Sequence, residues 1–285
     1  MANIKLIKRR KKSAQNISQI TRAMEMVAAS KMKKAQETAL NSKPYTDRIT
    51  LAIKELASKI NRNDFPLLNQ GNPEGRKLII LISTNKGLCG GLNTNLFRYL
   101  LHSLSDEEKT EFISIGRKGE YFVIKSNKKL LADFSKDLPF TKSVPAVTKM
   151  FVEGFLNGTY KEVYLVYNNF VSALTQEPVR KKILPIEYLE ETDNVAQTNF
   201  SEFLLEPSPI EVLNSLLPHY LENQLRTAIF EAEASEQSAR MIAMKNATDA
   251  ALDLIDDLTL QFNKARQEKI TYELADIVTA RMAVE

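Results

Sequence analysis

Residues 219–285 read HYLENQLRTAIFEAEASEQSARMIAMKNATDAALDLIDDLTLQFNKARQEKITYELADIVTARMAVE. The stretch holds neither Gly nor Pro, the last breaker before it being Pro218. Nothing local interrupts a helix that, at 1.5 Å per residue, would reach roughly 100 Å. Apolar residues return at Met244, Ala247, Ala251, Leu254, Leu258, Phe262 and Ala265, in steps of three and four that share one helix face. No ordinary globular domain needs such a helix, so the segment reads as a rod with a seam.

The other end of the chain reads the same way. From Asn3 to about Lys59 the only breaker is Pro44, and Ile17, Thr21, Met24, Ala28, Lys31 and Ala35 recur at helical spacing. A second stripe, Ile20, Ala23 and Val27, is expected to widen that face. All nine glycines fall between Gly71 and Gly158, which confines the turns to the middle. Two rods joined by a domain that returns the chain to its departure point imply an antiparallel coiled coil. In that pairing Asp249, Asp253, Asp256 and Asp257 could lie beside Lys8, Arg9, Arg10, Lys11 and Lys12. Exposed ion pairs of this kind contribute little stability each, so their effect would be on register.

The middle alternates strand and helix patterns. Strands are expected at 77–83, 111–115, 130–134, 163–167 and 179–184, and helices at 93–104, 116–125 and 144–157. That alternation argues for an α/β fold with a mostly parallel sheet. The expected division is 1–60 for the N-terminal coiled-coil helix, 76–190 for the α/β domain and 209–285 for the C-terminal helix. Residues 61–74 read as the linker in and 190–208 as a polar exit.

Composition excludes several classes. The longest aliphatic run, 78–82, is far short of the roughly 20 apolar residues of a membrane span, so the protein is expected to be soluble or peripheral at a membrane. The first two dozen residues are basic and acid-free up to Glu25, as in a mitochondrial presequence, but the helical pattern runs unbroken past that point. Cys89 is alone, which rules out an internal disulfide or dithiol switch. Net charge is +4, yet residues 1–43 carry eleven Lys or Arg against Glu25 and Glu37. Such an arm could contact nucleic acid through phosphates, although no aromatic residues are interleaved with Lys5 to Lys12.

The candidate chemistry is sparse. The loop Ser83-Thr84-Asn85-Lys86-Gly87-Leu88-Cys89-Gly90-Gly91-Leu92-Asn93 sits between a strand and a helix, where phosphate-binding loops occur. It lacks both the G-x-G-x-x-G order and the G-K-[ST] ending, so a tight structural turn is the better reading. With only His102 and His219 in the chain, Cys89 has no recognisable catalytic partner. Small residues cluster at Ala28, Ala29 and Ser30, and at Ala232, Ala234, Ser235, Ser238 and Ala239. They fit either close packing or a slim shaft that enters something else.

At Ala23-Met24-Glu25-Met26-Val27-Ala28-Ala29-Ser30-Lys31-Met32 the chain resembles the N-terminal signature of the F-type ATP synthase gamma subunits. The loop 83–93, the turn Glu206-Pro207-Ser208-Pro209 with Leu216-Leu217-Pro218, and Ser235-Glu236-Gln237-Ser238-Ala239-Arg240-Met241 through Asn246-Ala247 resemble the same family in the same order. So does Asn263-Lys264-Ala265-Arg266-Gln267 through Ile270-Thr271 to Glu273, and the likeness covers the chain end to end.

The resemblance implies the central rotor of a proton-translocating ATP synthase. One copy per complex would carry a long antiparallel coiled coil inside an α3β3 ring, with a Rossmann-like α/β domain below it. It implies no active site, cofactor or metal of its own, no nucleic acid, and epsilon, delta and c-ring partners at the cytoplasmic face of a bacterial inner membrane. Arg266 and Gln267 would catch beta-subunit loops, and Met24 would lie near the beta lever. Ile277, Val278, Ala280, Met282 and Val284 would sit in a bearing sleeve, while Phe203, Leu205 and Glu206 would meet epsilon and the c-ring. Asn85 stands where the family has Asp, Lys11 where an apolar residue is common, and Thr279 where Gly is usual. Chloroplast members carry an insertion with two regulatory cysteines that this chain lacks, which implies the bacterial type.

Overall fold

The computed structural model describes residues 4–58, 65–69, 71–104, 110–186, 206 and 208–282. Along the chain run α1 (Ile4–Ser58), β1 (Arg76–Ile82), α2 (Leu92–Ser103), β2 (Thr110–Ile115), α3 (Arg117–Lys125), β3 (Lys129–Asp133), α4 (Val144–Leu156), β4 (Tyr160–Phe170), β5 (Gln176–Leu184) and α5 (Pro209–Met282). A 3-10 turn, Phe140–Ser143, leads into α4. The chain divides into two compact units, one of residues 1–29 with 240–285, the other of residues 30–239.

In the larger unit the strand order is β3-β2-β1-β4-β5. Strands β1 to β4 are mutually parallel, and β5 returns antiparallel along β4 as an edge strand. Pro178, which cannot donate to a ladder, is accommodated on that edge. The expected alternation of strand and helix is what forms, with β4 and β5 each longer than expected by end residues that are mostly polar.

Side chains alternate across the central strands, and the two faces bury different layers. Ile79, Leu81, Phe112 and Val166 meet Leu96 and Leu100 of α2 and Val123 of α3. Leu78, Ile80, Ile113, Val163 and Leu165 meet α4 together with apolar residues of α1 and α5. A continuous apolar strand such as β1 needs this cover on both sides. From α5 the layer receives Leu213, Leu217, Leu221, Leu225, Ala228 and Ile229, mostly four apart on one face, and from α1 it receives Ile49 and Ile53. Each such Leu or Ile contributes about 1.5–3 kcal/mol by burial. Phe65 and Leu67, which fall in the expected linker, are core residues, and the Leu67 carbonyl accepts from the Ile186 N–H at 3.2 Å.

Neither proline stops a helix. Pro218 lies inside α5, which begins at Pro209, and Pro44 lies inside α1. Each removes one backbone donor, a loss that the burial of Leu213, Leu217 and Leu221 on either side of Pro218 offsets.

In the smaller unit the two terminal helices form the expected antiparallel pair. The buried positions on α1 are Ile7, Ala14, Ser18, Thr21 and Ala28, and those on α5 are Met244, Thr248, Ala251, Leu258 and Ala265. Ile255 and Phe262 complete the α5 stripe in strict steps of four and three. The seam therefore runs one residue away from the expected one at several points. Ile17 is 52% exposed and Leu254 51% exposed, while Ser18 and Ile255 take their places. Lys31, Ile20, Ala23 and Val27 also face outward, so the second stripe does not widen the buried face. Ser18, Thr21 and Ala28 win because small side chains let two backbones approach closely. At the middle of the seam the Thr21 and Thr248 hydroxyls share a hydrogen bond of 2.7 Å, and Thr248 lies 2.9 Å from the Met244 carbonyl of its own helix.

Candidate functional site

The loop 83–93 is tied to itself and to α3. The Thr84 hydroxyl donates to the Lys86 carbonyl at 2.8 Å, and Asn93 Nδ2 donates to the Thr84 hydroxyl at 2.8 Å and to Cys89 Sγ at 3.4 Å. The Gly119 N–H donates to Ser83 Oγ at 2.7 Å, and that hydroxyl donates to the Gly116 carbonyl at 3.1 Å. Gly116 has a φ of 114°, and a Cβ there would collide with the Ser83 carbonyl. These bonds make the loop a packed strand-to-helix turn, with Cys89 buried inside it. Asn85 explains its own departure from the family. Its Nδ2 donates to the Ser135 carbonyl at 2.8 Å while its Oδ1 accepts from the Arg117 N–H at 2.8 Å, and a carboxylate could make only the second bond.

The buried charges lie at the opposite end of the sheet. Glu111 accepts from Arg76 and, at 2.7 Å, from Lys129, with the Tyr160 hydroxyl at 3.5 Å. These residues open β1, β2, β3 and β4, whereas ligands in open α/β sheets bind beyond the carboxyl ends of strands. Burial pushes the Glu111 carboxyl up, but the bonds from Lys129 and Arg76 outweigh it and hold the group below the usual carboxylate range. Glu162 is similarly paired with Lys182 at 2.9 Å and Lys77 at 3.6 Å. Among the described residues no three His, Cys, Asp or Glu side chains are placed to share a metal ion.

The small residues of α5 serve close packing. Ser235 and Ser238 are fully buried, and their hydroxyls donate to carbonyls of the β4–β5 hairpin. Among the described residues no ion pair joins the basic block at 8–12 to Asp249, Asp253, Asp256 or Asp257. Lys8, Arg9, Arg10 and Lys12 are exposed, while Lys11 occupies a seam position and is half-buried.

What remains as a site is the surface of the terminal helices. After Ala265 every described residue of α5 is exposed, on all faces of the helix, to Met282. Arg266 and Gln267 begin this stretch, and their side chains have no partner among the described residues. Ile270, Tyr272, Leu274, Ile277 at 65%, Val278 and Met282 at 73% present apolar surface there, and Ala280 is also exposed. Thr279, where the family usually has Gly, returns its hydroxyl to the Ala275 carbonyl at 2.9 Å. Met24 is half-buried beside the seam, with Met26 and Val27 exposed next to it. Glu206 is exposed, while Phe203, Leu205 and Val284 lie outside the described residues. No described helix is long and apolar enough to cross a membrane.

Exposed apolar side chains along α5 beyond Ala265 offer a surface of the kind that partner proteins cover. The family model described as ATP synthase matches residues 3–284. An ATP synthase gamma chain of Dehalococcoides mccartyi is 41% identical over 289 residues, and one of Akkermansia muciniphila is 40% identical over 295, each pair covering 100% of both chains. The fold is shared with a chain of the Euglena gracilis mitochondrial ATP synthase, at a TM-score of 0.68 and 19% identity over 99% of this chain and 94% of that one. A chain from the central stalk and c-ring structure of the Tetrahymena thermophila mitochondrial enzyme gives a TM-score of 0.58 at 23% identity, covering 80% of this chain and 99% of that one. The nucleic-acid arm finds no support in these relatives. Full-length identity to bacterial gamma chains, together with the two long terminal helices and the β3-β2-β1-β4-β5 sheet, shows that this chain belongs to the ATP synthase gamma chain family.

Proposed function

We propose that the chain is the central rotor shaft of a bacterial F-type ATP synthase, a non-catalytic subunit that couples ion flow to ATP synthesis or hydrolysis on neighbouring beta subunits. The observation that carries this reading is the stretch 266–282, helical yet exposed on every face and rich in apolar side chains. A helix without a core behind it spends its apolar surface on a partner. A ring of three alpha and three beta subunits would enclose it, with Ile277, Val278, Ala280, Met282 and Val284 as the bearing and Arg266 and Gln267 as catches for beta loops. Met24 would face the beta lever.

Different faces of the shaft would meet the three beta subunits at any moment. Each contact would favour one conformation of its beta subunit, so rotation would shift the populations in turn. The chain needs stiffness and a few polar catches for this, and no nucleophile or metal. Epsilon, delta and the c-ring would be the remaining partners, with Phe203, Leu205 and Glu206 on the epsilon and c-ring side, at the cytoplasmic face of the inner membrane.

Native mass spectrometry of the complex retrieved through a tag on this chain tests the reading. One copy with three alpha and three beta subunits is expected, and a lone chain or a nucleic-acid complex would overturn it. Arg266→Ala with Gln267→Ala should weaken the coupling of ATP hydrolysis to rotation, and unaltered coupling would remove those two residues from the catch.

A further inference from the structure

The β4–β5 hairpin lies along α5 and is held there by a line of polar contacts. Lys181 Nζ donates to Gln224 Oε1 at 2.7 Å, and the buried Tyr167 side chain faces the Glu231 carboxylate, burial and that charge together pushing its phenol up from the ordinary value. Ser235 Oγ donates to the Asn168 carbonyl at 2.9 Å, and Ser238 Oγ donates to the Ala173 carbonyl while accepting from Gln176 Nε2 at 3.2 Å. Positions 224, 231, 235 and 238 are separated by seven, four and three residues, which keeps them on one face of α5 over about 21 Å. Burial pushes the Lys181 ammonium down from its ordinary value, with the Glu231 charge opposing, and the bond to Gln224 is part-buried. Ser235 and Ser238 are fully buried, and their short side chains bring the α5 backbone close enough for each hydroxyl to reach a hairpin carbonyl.

The physical distinction is between separation and rolling. Apolar burial is non-directional, so the leucines of α5 resist being pulled off the sheet but resist rotation about the helix axis only weakly. Hydrogen bonds demand alignment, and a roll of α5 by part of a turn would break the whole line at once. We infer that this line of contacts is a rotational clamp, through which twist applied to the sheet domain passes into α5 without slip. It rests on the rotor reading, and its members are positioning residues for coupling.

The test uses the whole synthase in membrane vesicles and compares ATP hydrolysis with ATP-driven acidification. Ser235→Ala with Ser238→Ala removes three clamp bonds, the two serine-to-carbonyl bonds and the one from Gln176, each loss raising the slipped population roughly fivefold. Hydrolysis should stay within about twofold of wild type while acidification per ATP falls severalfold. A second variant, Ala173→Cys with Ser238→Cys, keeps the result independent of folding: oxidation to the cross-link should restore the ratio and reduction should lower it again. An unchanged ratio in the assembled serine variant, or a cross-link that restores nothing, overturns the clamp. Failure of the wild-type chain itself to assemble with the ring or to support acidification would count against the rotor reading instead.

Discussion

Residues 213–238 and 266–282 belong to one unbroken helix, α5, and are opposites in every other respect. The first stretch buries Leu213, Leu217, Leu221, Leu225 and Ile229 against a sheet and fixes its rotation with hydroxyl and amide contacts. The second buries nothing among the described residues, although Ile270, Leu274, Ile277 and Met282 are as apolar. The contrast teaches that apolar content does not reveal whether a helix face serves this chain's own core or another protein. Only the presence of an intramolecular partner does.

If that contrast is right, the largest effect comes from the buried stretch. Leu221→Ala should destabilise the isolated chain by about 3 kcal/mol, read as a lower urea midpoint, because a cavity is left where nothing can collapse to fill it. A loss below about 1 kcal/mol would mean that the stretch is not core.

Acid should separate the regions next. The Glu111 carboxyl is held low, so its contribution is fully present above the unfolded value near pH 4.3 and is lost as pH falls through its lowered folded value. The sheet that supports 213–238 should therefore weaken in acid, and Glu111→Gln should cost about 1–2 kcal/mol at pH 7 while flattening the acid limb of the stability curve. Retention of the wild-type acid limb in the variant would remove Glu111 from that role.

A smaller effect marks the coiled-coil seam between the two stretches. A double-mutant cycle on Thr21→Val and Thr248→Val should return a coupling of about 0.5–1.5 kcal/mol, since the hydroxyls bond to each other across the seam. Additive effects would place them apart. Smallest of all, Ile277→Ala should change the stability of the isolated chain by less than about 0.5 kcal/mol, as befits a residue with no core contact. A loss of several kcal/mol would show that the tip folds back onto the protein.

The strands and helices of the middle were legible because each carried its own period and was bounded by Gly, Pro or polar turns. The seam was legible in period but not in phase. Ile17 and Leu254 outrank Ser18 and Ile255 or match them in hydrophobicity, yet closeness of the two backbones selects Ser18, and the register that follows selects Ile255. Pro44 and Pro218 lie inside the expected terminal helices, 1–60 and 209–285, and both helices run through them, Pro218 with buried Leu217 and Leu221 beside it. The serines of α5 left two readings open, because a small residue looks the same in sequence whether it admits a neighbouring backbone of its own chain or another molecule. The exposed tip was named by family likeness alone, as its apolar residues carry no sign of whom they meet.

Hydrogen exchange of the amides in 266–282, measured on the isolated chain and on the chain assembled with alpha and beta subunits, tests the account at its centre. Fast exchange when free, and strong protection of that stretch in the ring, is the expected result. Equal exchange in the two states would contradict a shaft whose tip is housed by the ring.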